Sequence, residues 1–590
     1  MKHLFKIILI LVLSCIMATS LCPEEKKNKA KEIEIILDQK IRMNDGINLA
    51  AKAWKPADLK EPLPAIFVLT PYISDEAQQR AKFFAQNGYA FVSVDCRGRG
   101  NSEGEFYPFE QDGPDGAQIV KWIAKQPWCD GQVAMMGGSY RGMVQWQTLK
   151  EMPPSLKTIV PTAAAHPGID APWPKNIFTS YFTRWLGFVS GKTSNIKLFS
   201  DSKYWAQKFY KMYRNHIPFS KLAEITGIPQ KIFNRWLSHP SYDDYWKGMS
   251  PSAEDYNKFN IPILTITGYF DGDQPGAMAY YLQHMKNGND DGKEKHYLII
   301  GPYDHAGTRN PKKELGGLAF GKNCLLDMNQ IHLEWFDWIL KGKDQPQFLK
   351  KRVCYYIMGQ NEWKYVDKLE DISNKTEVCY LSSQDGRAND VFHSGSLKQM
   401  LISKKQKPDI FFYDPLKLVE EDEYLKRNPN YYLDQSAAFA EDILIYHSKP
   451  LEKEIEIVGY IKLKAYIELN VPDTDFQVGL FEIKPDGTSI YLGNDMIRAR
   501  YRKSLSKPEL VKTGEINLYE FERFYFFARK LEKGSRLRLI ISSLNSPEFG
   551  KNYNSGGIVA NETAKNARKA IIKLYHDKKY PSVLELPINE

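Results

Sequence analysis

Past its first twenty residues this 590-residue chain has no apolar run of membrane-spanning length, which excludes a multi-span membrane protein. No concentrated basic face appears either. The formal charge of +9, or +7 without Lys2 and Lys6, is spread thinly, so nucleic acid is not an expected partner. The largest cluster, Lys26 to Lys31, follows Glu24 and Glu25 and reads as a solvated linker. The seven cysteines show no metal-ligand spacing, and no metal or organic cofactor is signalled. Cys354 and Cys379 fall in neighbouring strand-like runs, which leaves open either a disulfide or two buried thiols. The glycine-rich stretch Asp95 to Gly104 has neither dinucleotide spacing nor a phosphate-loop lysine, and reads as a flexible turn at the end of a strand.

What is present is ample material for burial. Hydrophobic residues make up 43% and aromatics 13%, and the length calls for two or three domains. Residues 1–20 read as an export leader: Lys2 and Lys6 precede the apolar run Ile7 to Leu13, and Ala18-Thr19-Ser20 supplies small residues for cleavage. Val12-Leu13-Ser14-Cys15 offers an alternative, a lipoprotein box with a lipid anchor at Cys15, although Leu13 is larger than such boxes usually carry. A periplasmic or secreted location follows, or a membrane-anchored one.

After a linker to residue 34, alternating residues around Asn44-Asp45-Gly46 signal a hairpin. Continuous apolar strands at Ala65 to Leu69, Tyr89 to Val94 and Gln132 to Met136 alternate with helical stretches, which implies a mainly parallel sheet covered on both sides. Residues 166–260 read as a helical insertion rich in aromatics. Trp173, Phe178, Tyr181 and Trp185 are candidates for a pocket wall or for plain packing. The strand–helix pattern resumes over 261–347, and from 348 to 590 short strands and turns indicate a β-sandwich.

The chemistry centres on Gly137-Gly138-Ser139-Tyr140-Arg141-Gly142, between a strand-like run and a helix-like one. A serine on such a turn presents its hydroxyl as a nucleophile, although the second glycine comes three residues after Ser139 rather than the usual two. Asp271 and His305 each follow the end of a later buried strand, so nucleophile, acid and histidine occur in α/β-hydrolase order. Ser139 would attack, His305 would carry the proton, and Asp271 would fix the imidazole. The amide of Tyr140 is the expected oxyanion donor.

These motifs, with Pro71-Tyr72, Asp95 to Gly104, His239 to Trp246, Gly301-Pro302-Tyr303-Asp304-His305, Pro472 to Phe476 and Ile497 to Arg502, resemble the cocaine esterase and glutaryl acylase family. Its relatives include α-amino acid ester hydrolases and X-Pro dipeptidyl peptidases. The resemblance runs from about Ile35 to Pro587. It implies an α/β hydrolase fold with a helical cap insertion and a C-terminal jelly-roll, galactose-binding-like domain. It also makes a glycine three after the serine normal, and implies the Tyr72 hydroxyl as a second oxyanion donor.

The family leaves the substrate open, beyond a small ester or amide. Asp273, two after Asp271, matches a carboxylate that in the α-amino acid ester hydrolases looks to read a substrate ammonium, but Gln274 stands where a second acid would follow. Asp273 could equally cap the helix that starts near Gln274. Trp173 and Phe270 complete the expected substrate contacts. Three readings remain: a hydrolase of amine-bearing acyl substrates, X-Pro dipeptides included; an esterase for neutral or aromatic esters; and a non-catalytic surface- or carbohydrate-binding protein.

Overall fold

The computed structural model describes residues 31–401, 406–426 and 442–589; the segment expected to be an export leader, with Cys15, lies outside them. The hairpin forms as strands β1 (Ile33–Arg42) and β2 (Asn48–Pro56), the first starting two residues inside the expected linker. They lead into β3 (Leu63–Thr70), β4 (Ala90–Asp95), β5 (Cys129–Ser139), β6 (Leu156–Ala164), β7 (Ile263–Phe270) and β8 (His296–Asp304). Pairing runs β1-β2-β4-β3-β5-β6-β7-β8 and continues into two further strands, Val353–Ile357 and Glu362–Val366. From β4 to Val353–Ile357 every pairing is parallel. The central strands are apolar and buried along their length because helices such as Gln78–Gln86 and Asp112–Ile123 bury one face or the other.

This sheet takes two strands that the sequence assigned to the β-sandwich. Val353 pairs with Leu298 of β8, so the α/β sheet ends at Val366 rather than before residue 348. A strand buried on both sides carries no mark of which sheet it will join, and helices thin out only after Lys341. The same assignment removes the disulfide option. Cys354 sits in the α/β sheet and Cys379 in the second sheet, and both are free and buried, like Cys96, Cys129 and Cys324.

Residues 166–260 form short helices. In Ser202–Arg214, Trp205, Phe209, Met212 and Tyr213 share one buried face at helical spacing. Among the described residues the C-terminal part is mostly β, thirteen strands in one hydrogen-bonded network between Lys375 and Asn589, with one short helix, Glu421–Lys426.

Three seams fix that domain against the rest. Met358 donates to Ala528 O at 3.0 Å and accepts from Lys530 N at 2.9 Å, continuing the α/β sheet edge into the second domain. Ser180 N donates to Glu548 O at 2.8 Å, and Gly550 N to Phe178 O at 2.9 Å. Deeper still, the buried Arg498 pairs with Asp475 at 2.8 Å and donates to the Asn176 carbonyl at 3.1 Å. Pairing this complete offsets much of the cost of burying the two charges. Between the three units lies the cavity described next.

Candidate active site

Ser139 ends β5, where the chain turns sharply into the helix Tyr140–Lys150. Its backbone is in the left-handed region, φ 65° and ψ −128°, an unusual conformation for a residue with a Cβ. The flanking sequence makes the turn feasible. A Cβ on Gly137, itself at φ 141°, would meet the Arg141 Cβ at 2.6 Å. A Cβ on Gly142 would meet the Thr162 carbonyl oxygen at 2.8 Å and the Ala164 Cα at 3.0 Å. The glycine three after Ser139 is therefore what lets this helix lie against β6. Tyr140, the helix's first residue, has an amide without an intrahelical acceptor. Its side chain is locked by donating to Asp112 and accepting from Phe109 N at 2.9 Å.

β5 lies beside β3, and the loop after β3 carries Tyr72 to the serine. Trp185 Nε1 donates to the Tyr72 hydroxyl at 3.1 Å, leaving the phenolic proton free for a second partner, and the Ser139 side chain is within hydrogen-bond reach. Burial raises the Tyr72 pKa, which keeps that proton in place. The stretch Asp95 to Gly104 is a turn after β4, as expected, and it also braces the segment that carries Tyr72. The fully buried Arg99 donates to the Pro71 carbonyl at 2.8 Å, Asp95 accepts from Ser74 N at 2.6 Å, and Ser102 donates to the Asp95 carbonyl at 2.7 Å. Composition signalled a loop, and three side-chain bonds hold it in place.

Asp271 and His305 follow β7 and β8, adjacent parallel strands, so their loops meet. His305 Nδ1 is 2.8 Å from Asp271 Oδ1. Asp271 is wholly buried and also accepts from Asp273 N at 3.0 Å and from the Thr267 hydroxyl at 3.4 Å. Burial pulls the His305 pKa down, but the carboxylates of Asp271 and Asp273 outweigh it and leave the group above its ordinary value.

Asp273 stands at the N-cap position of the helix Gln274–Asn287, yet its side chain makes no cap bond. It turns toward the nucleophile instead: Ser139 Oγ donates to its Oδ2 at 3.5 Å, and His305 Nδ1 is 3.7 Å away. Burial, with the Asp271 charge beside it, pushes Asp273 up to about 6 against the pull of His305 and Arg309. A second acid faces the same space. Asp170 accepts from the amides of His166 at 2.7 Å and Gly276 at 2.6 Å, and burial with the Asp273 charge holds it well above the usual carboxylate range. Among the described residues neither acid has a lysine or arginine within ion-pair distance. Sequence reasoning missed Asp170, although it follows β6 as Asp271 follows β7, which was the available signal.

Ser139, Tyr72, Tyr140, His305, Asp273 and Asp170 line one cavity of about 430 Å³, and Asp271 lies behind His305. Its walls are aromatic, with Phe109, Tyr181, Phe182 and Trp185 from the α/β and helical parts and Tyr525 and Phe549 from the β domain. Trp173 and Phe270, expected as substrate contacts, are not in it. Trp173 packs edge-on against Phe178 with ring centroids 4.8 Å apart, and Phe270 stacks on Phe320 at 5.9 Å. Each turns its ring into apolar packing, which costs less than lining a wet pocket. The Asp495 carboxylate, paired with Lys175 at 3.0 Å, and Arg523 bring charge from the β domain to the cavity, contacts that no local motif announced. Donor atoms of Asp271, Asp273 and His305 lie within 4.8 Å of one another, close enough to share a metal ion, but the shortest contact among them is the 2.8 Å Asp271–His305 hydrogen bond.

A parallel sheet with a serine on a strained turn after its central strand, an insertion above it and an all-β domain behind it define an α/β hydrolase with an appended β domain. Comparison with known proteins narrows this. Residues 45–307 match the model of the X-Pro dipeptidyl-peptidase S15 family, and residues 348–585 match its C-terminal non-catalytic domain. The cocaine esterase of Rhodococcus sp. is 27% identical over 574 residues, spanning 93% of this chain and 97% of that protein. Among solved structures, an aminopeptidase from a marine-sediment Thaumarchaeota archaeon superposes with TM-score 0.80 at 21% identity, covering 97% of this chain and 99% of that one. An α-amino acid ester hydrolase also gives 0.80 at 18% identity, covering 97% and 100%. A CocE/NonD family hydrolase from Staphylococcus aureus gives 0.66 at 16% identity, covering 95% and 94%. The chain belongs to this cocaine esterase and S15 peptidase family of serine hydrolases.

Proposed function

We propose that the protein is an exported serine hydrolase that cleaves small acyl esters or amides bearing a free amine on the acyl side. Ser139 attacks the carbonyl and His305 takes its proton, while Asp271 holds the imidazole tautomer and stabilises its charged form. The tetrahedral oxyanion is received by the Tyr72 hydroxyl and the Tyr140 amide. Collapse transfers the proton from His305 to the leaving group and leaves an acyl-enzyme, which water hydrolyses by the same route.

The observation that carries the amine specificity is the pair Asp170 and Asp273, two desolvated acids that, among the described residues, have no lysine or arginine within ion-pair distance. An ammonium group would supply the missing counter-charge, and burying an acid without one is costly. The aromatic walls favour a second reading, an esterase for neutral aromatic esters, in keeping with the similarity to a cocaine esterase. Matched esters with and without an α-amine decide between them. The first reading expects kcat/KM to be at least tenfold higher with the amine; equal values would leave the second.

A further inference from the structure

Where the β domain walls the cavity, three charged residues line it: Asp495 and Arg523 from that domain, and Lys175 from the insertion. Two of them are spent on each other. The buried Asp495 pairs with Lys175 Nζ at 3.0 Å and accepts from the amides of Met496 at 2.8 Å and Arg523 at 3.0 Å. Arg523 is left over. It gives Asp495 only its amide, and among the described residues its guanidinium has no ion pair and no hydrogen bond. Glu522, the residue before it, is exposed and does not line the cavity.

The segment that carries Arg523 is fixed against the loop of the catalytic acid. The buried Gln274 donates to the Phe526 carbonyl at 2.9 Å and accepts from its amide at 2.7 Å, and the Tyr525 hydroxyl donates to the Gly272 carbonyl at 3.5 Å. Gln274 is the residue after Asp273, so this loop is tied directly to the acid beside Ser139. Arg523 stands three residues before Phe526, which keeps its Cα within about 11 Å of that tie. Phe524 and Phe526 are buried and hold the segment down, while the Arg523 side chain stays exposed to the cavity.

The cavity therefore has two unpaired charges of opposite sign, the acids Asp170 and Asp273 and the Arg523 cation. An α-amine is two bonds from the carbonyl that Ser139 attacks, so an amine held by Asp273 keeps the acyl half of the substrate beside the nucleophile. The leaving group takes the remaining space, which the β domain walls. We propose that Arg523 selects a carboxylate on the leaving group, so that the preferred substrates carry an amine on the acyl half and an acid on the other. Placing the acid on that half rests on Asp273 holding the amine. A guanidinium suits the task because its planar donors match a carboxylate with two parallel hydrogen bonds, and the occupied Lys175 cannot substitute for it.

Four substrates test this: the alanyl and propionyl esters of 3-hydroxybenzoate and of 3-hydroxybenzamide, which vary the acyl amine and the leaving-group charge separately. With the alanyl esters, wild type is expected to give a kcat/KM about fivefold higher for the benzoate than for the benzamide, the size of one partly exposed charge pair. Arg523→Gln brings this ratio to about one, Arg523→Lys restores part of it, and added salt lowers it in wild type. The Arg523 side chain is exposed and unbonded, so both variants are expected to fold. A benzoate-to-benzamide ratio that is the same in wild type and Arg523→Gln would overturn the role of Arg523. The alanyl-to-propionyl ratio reports on the amine separately, and a value of one there would remove the amine reading while leaving the Arg523 comparison intact. A second readout needs no turnover: 3-hydroxybenzoate should slow fluorophosphonate labelling of Ser139 at about fivefold lower concentration than 3-hydroxybenzamide does, in wild type but not in Arg523→Gln. Equal protection by the two compounds in wild type would also overturn the proposal.

Discussion

Replacing Asp273 by Asn keeps the shape of the site and removes one charge. In the wild type an ammonium held near 4 Å from this carboxylate gains about 4 kcal/mol of Coulomb energy at an effective dielectric of 20, before desolvation is subtracted. Truncating one partner of a buried charge pair costs roughly 2–5 kcal/mol in measured cases. A value near 3 kcal/mol, about a hundredfold in kcat/KM, is therefore expected for amine-bearing esters, with matched esters lacking the amine changed by less than about threefold. The same replacement removes a carboxylate 3.7 Å from His305 that favours its charged form. The His305 pKa falls, and the acid limb of the pH profile moves to lower pH for both ester types. The assay is steady-state hydrolysis of paired esters across pH 5 to 9. An equal loss for both, without selectivity change, would refute the claim that Asp273 reads an amine.

The selectivity of the wild type should itself titrate. Asp273 ionises near 6, so it is charged at neutral pH and protonated below; the ratio of kcat/KM with and without the amine falls as pH drops through about 6, and His305 cancels from the ratio. A ratio independent of pH from 5 to 8 would rule this out. Tyr72→Phe should lower kcat by about 10²–10³ with KM little changed, the loss typical of one oxyanion donor. Gly142→Ala should destabilise the fold by roughly 1–3 kcal/mol, because its Cβ meets the Thr162 carbonyl at 2.8 Å; thermal unfolding reads it directly.

The parts of the molecule that could be read from sequence are those whose causes are local. Continuous apolar runs such as Ala65 to Leu69 announce buried parallel strands, and residues just past their ends, Ser139, Asp271 and His305, fall where such sheets collect function. Sheet membership is not local. Val353 to Ile357 has the same composition whether it pairs with β8 or with the β domain, and only the register with Leu298 to Ile300 decides. Aromatic spacing predicted helices correctly without saying which rings face the cavity: Tyr181 and Trp185 do, whereas Trp173 and Phe178 pack elsewhere. The role of Asp273 turned on a side-chain torsion, toward Ser139 rather than its own helix, which no pattern encodes. Contacts across domains, such as Asp495 with Lys175, stayed invisible because their partners are 320 residues apart.

The account rests on Ser139 as an activated nucleophile beside the Asp271–His305 pair. Reaction of the purified protein with a fluorophosphonate, followed by mass mapping of the adduct, tests it most directly. One covalent adduct on Ser139, absent from Ser139→Ala and slowed by several orders of magnitude in His305→Ala, is the expected result. A folded wild type that takes no label, or an adduct unaffected by either replacement, would contradict it.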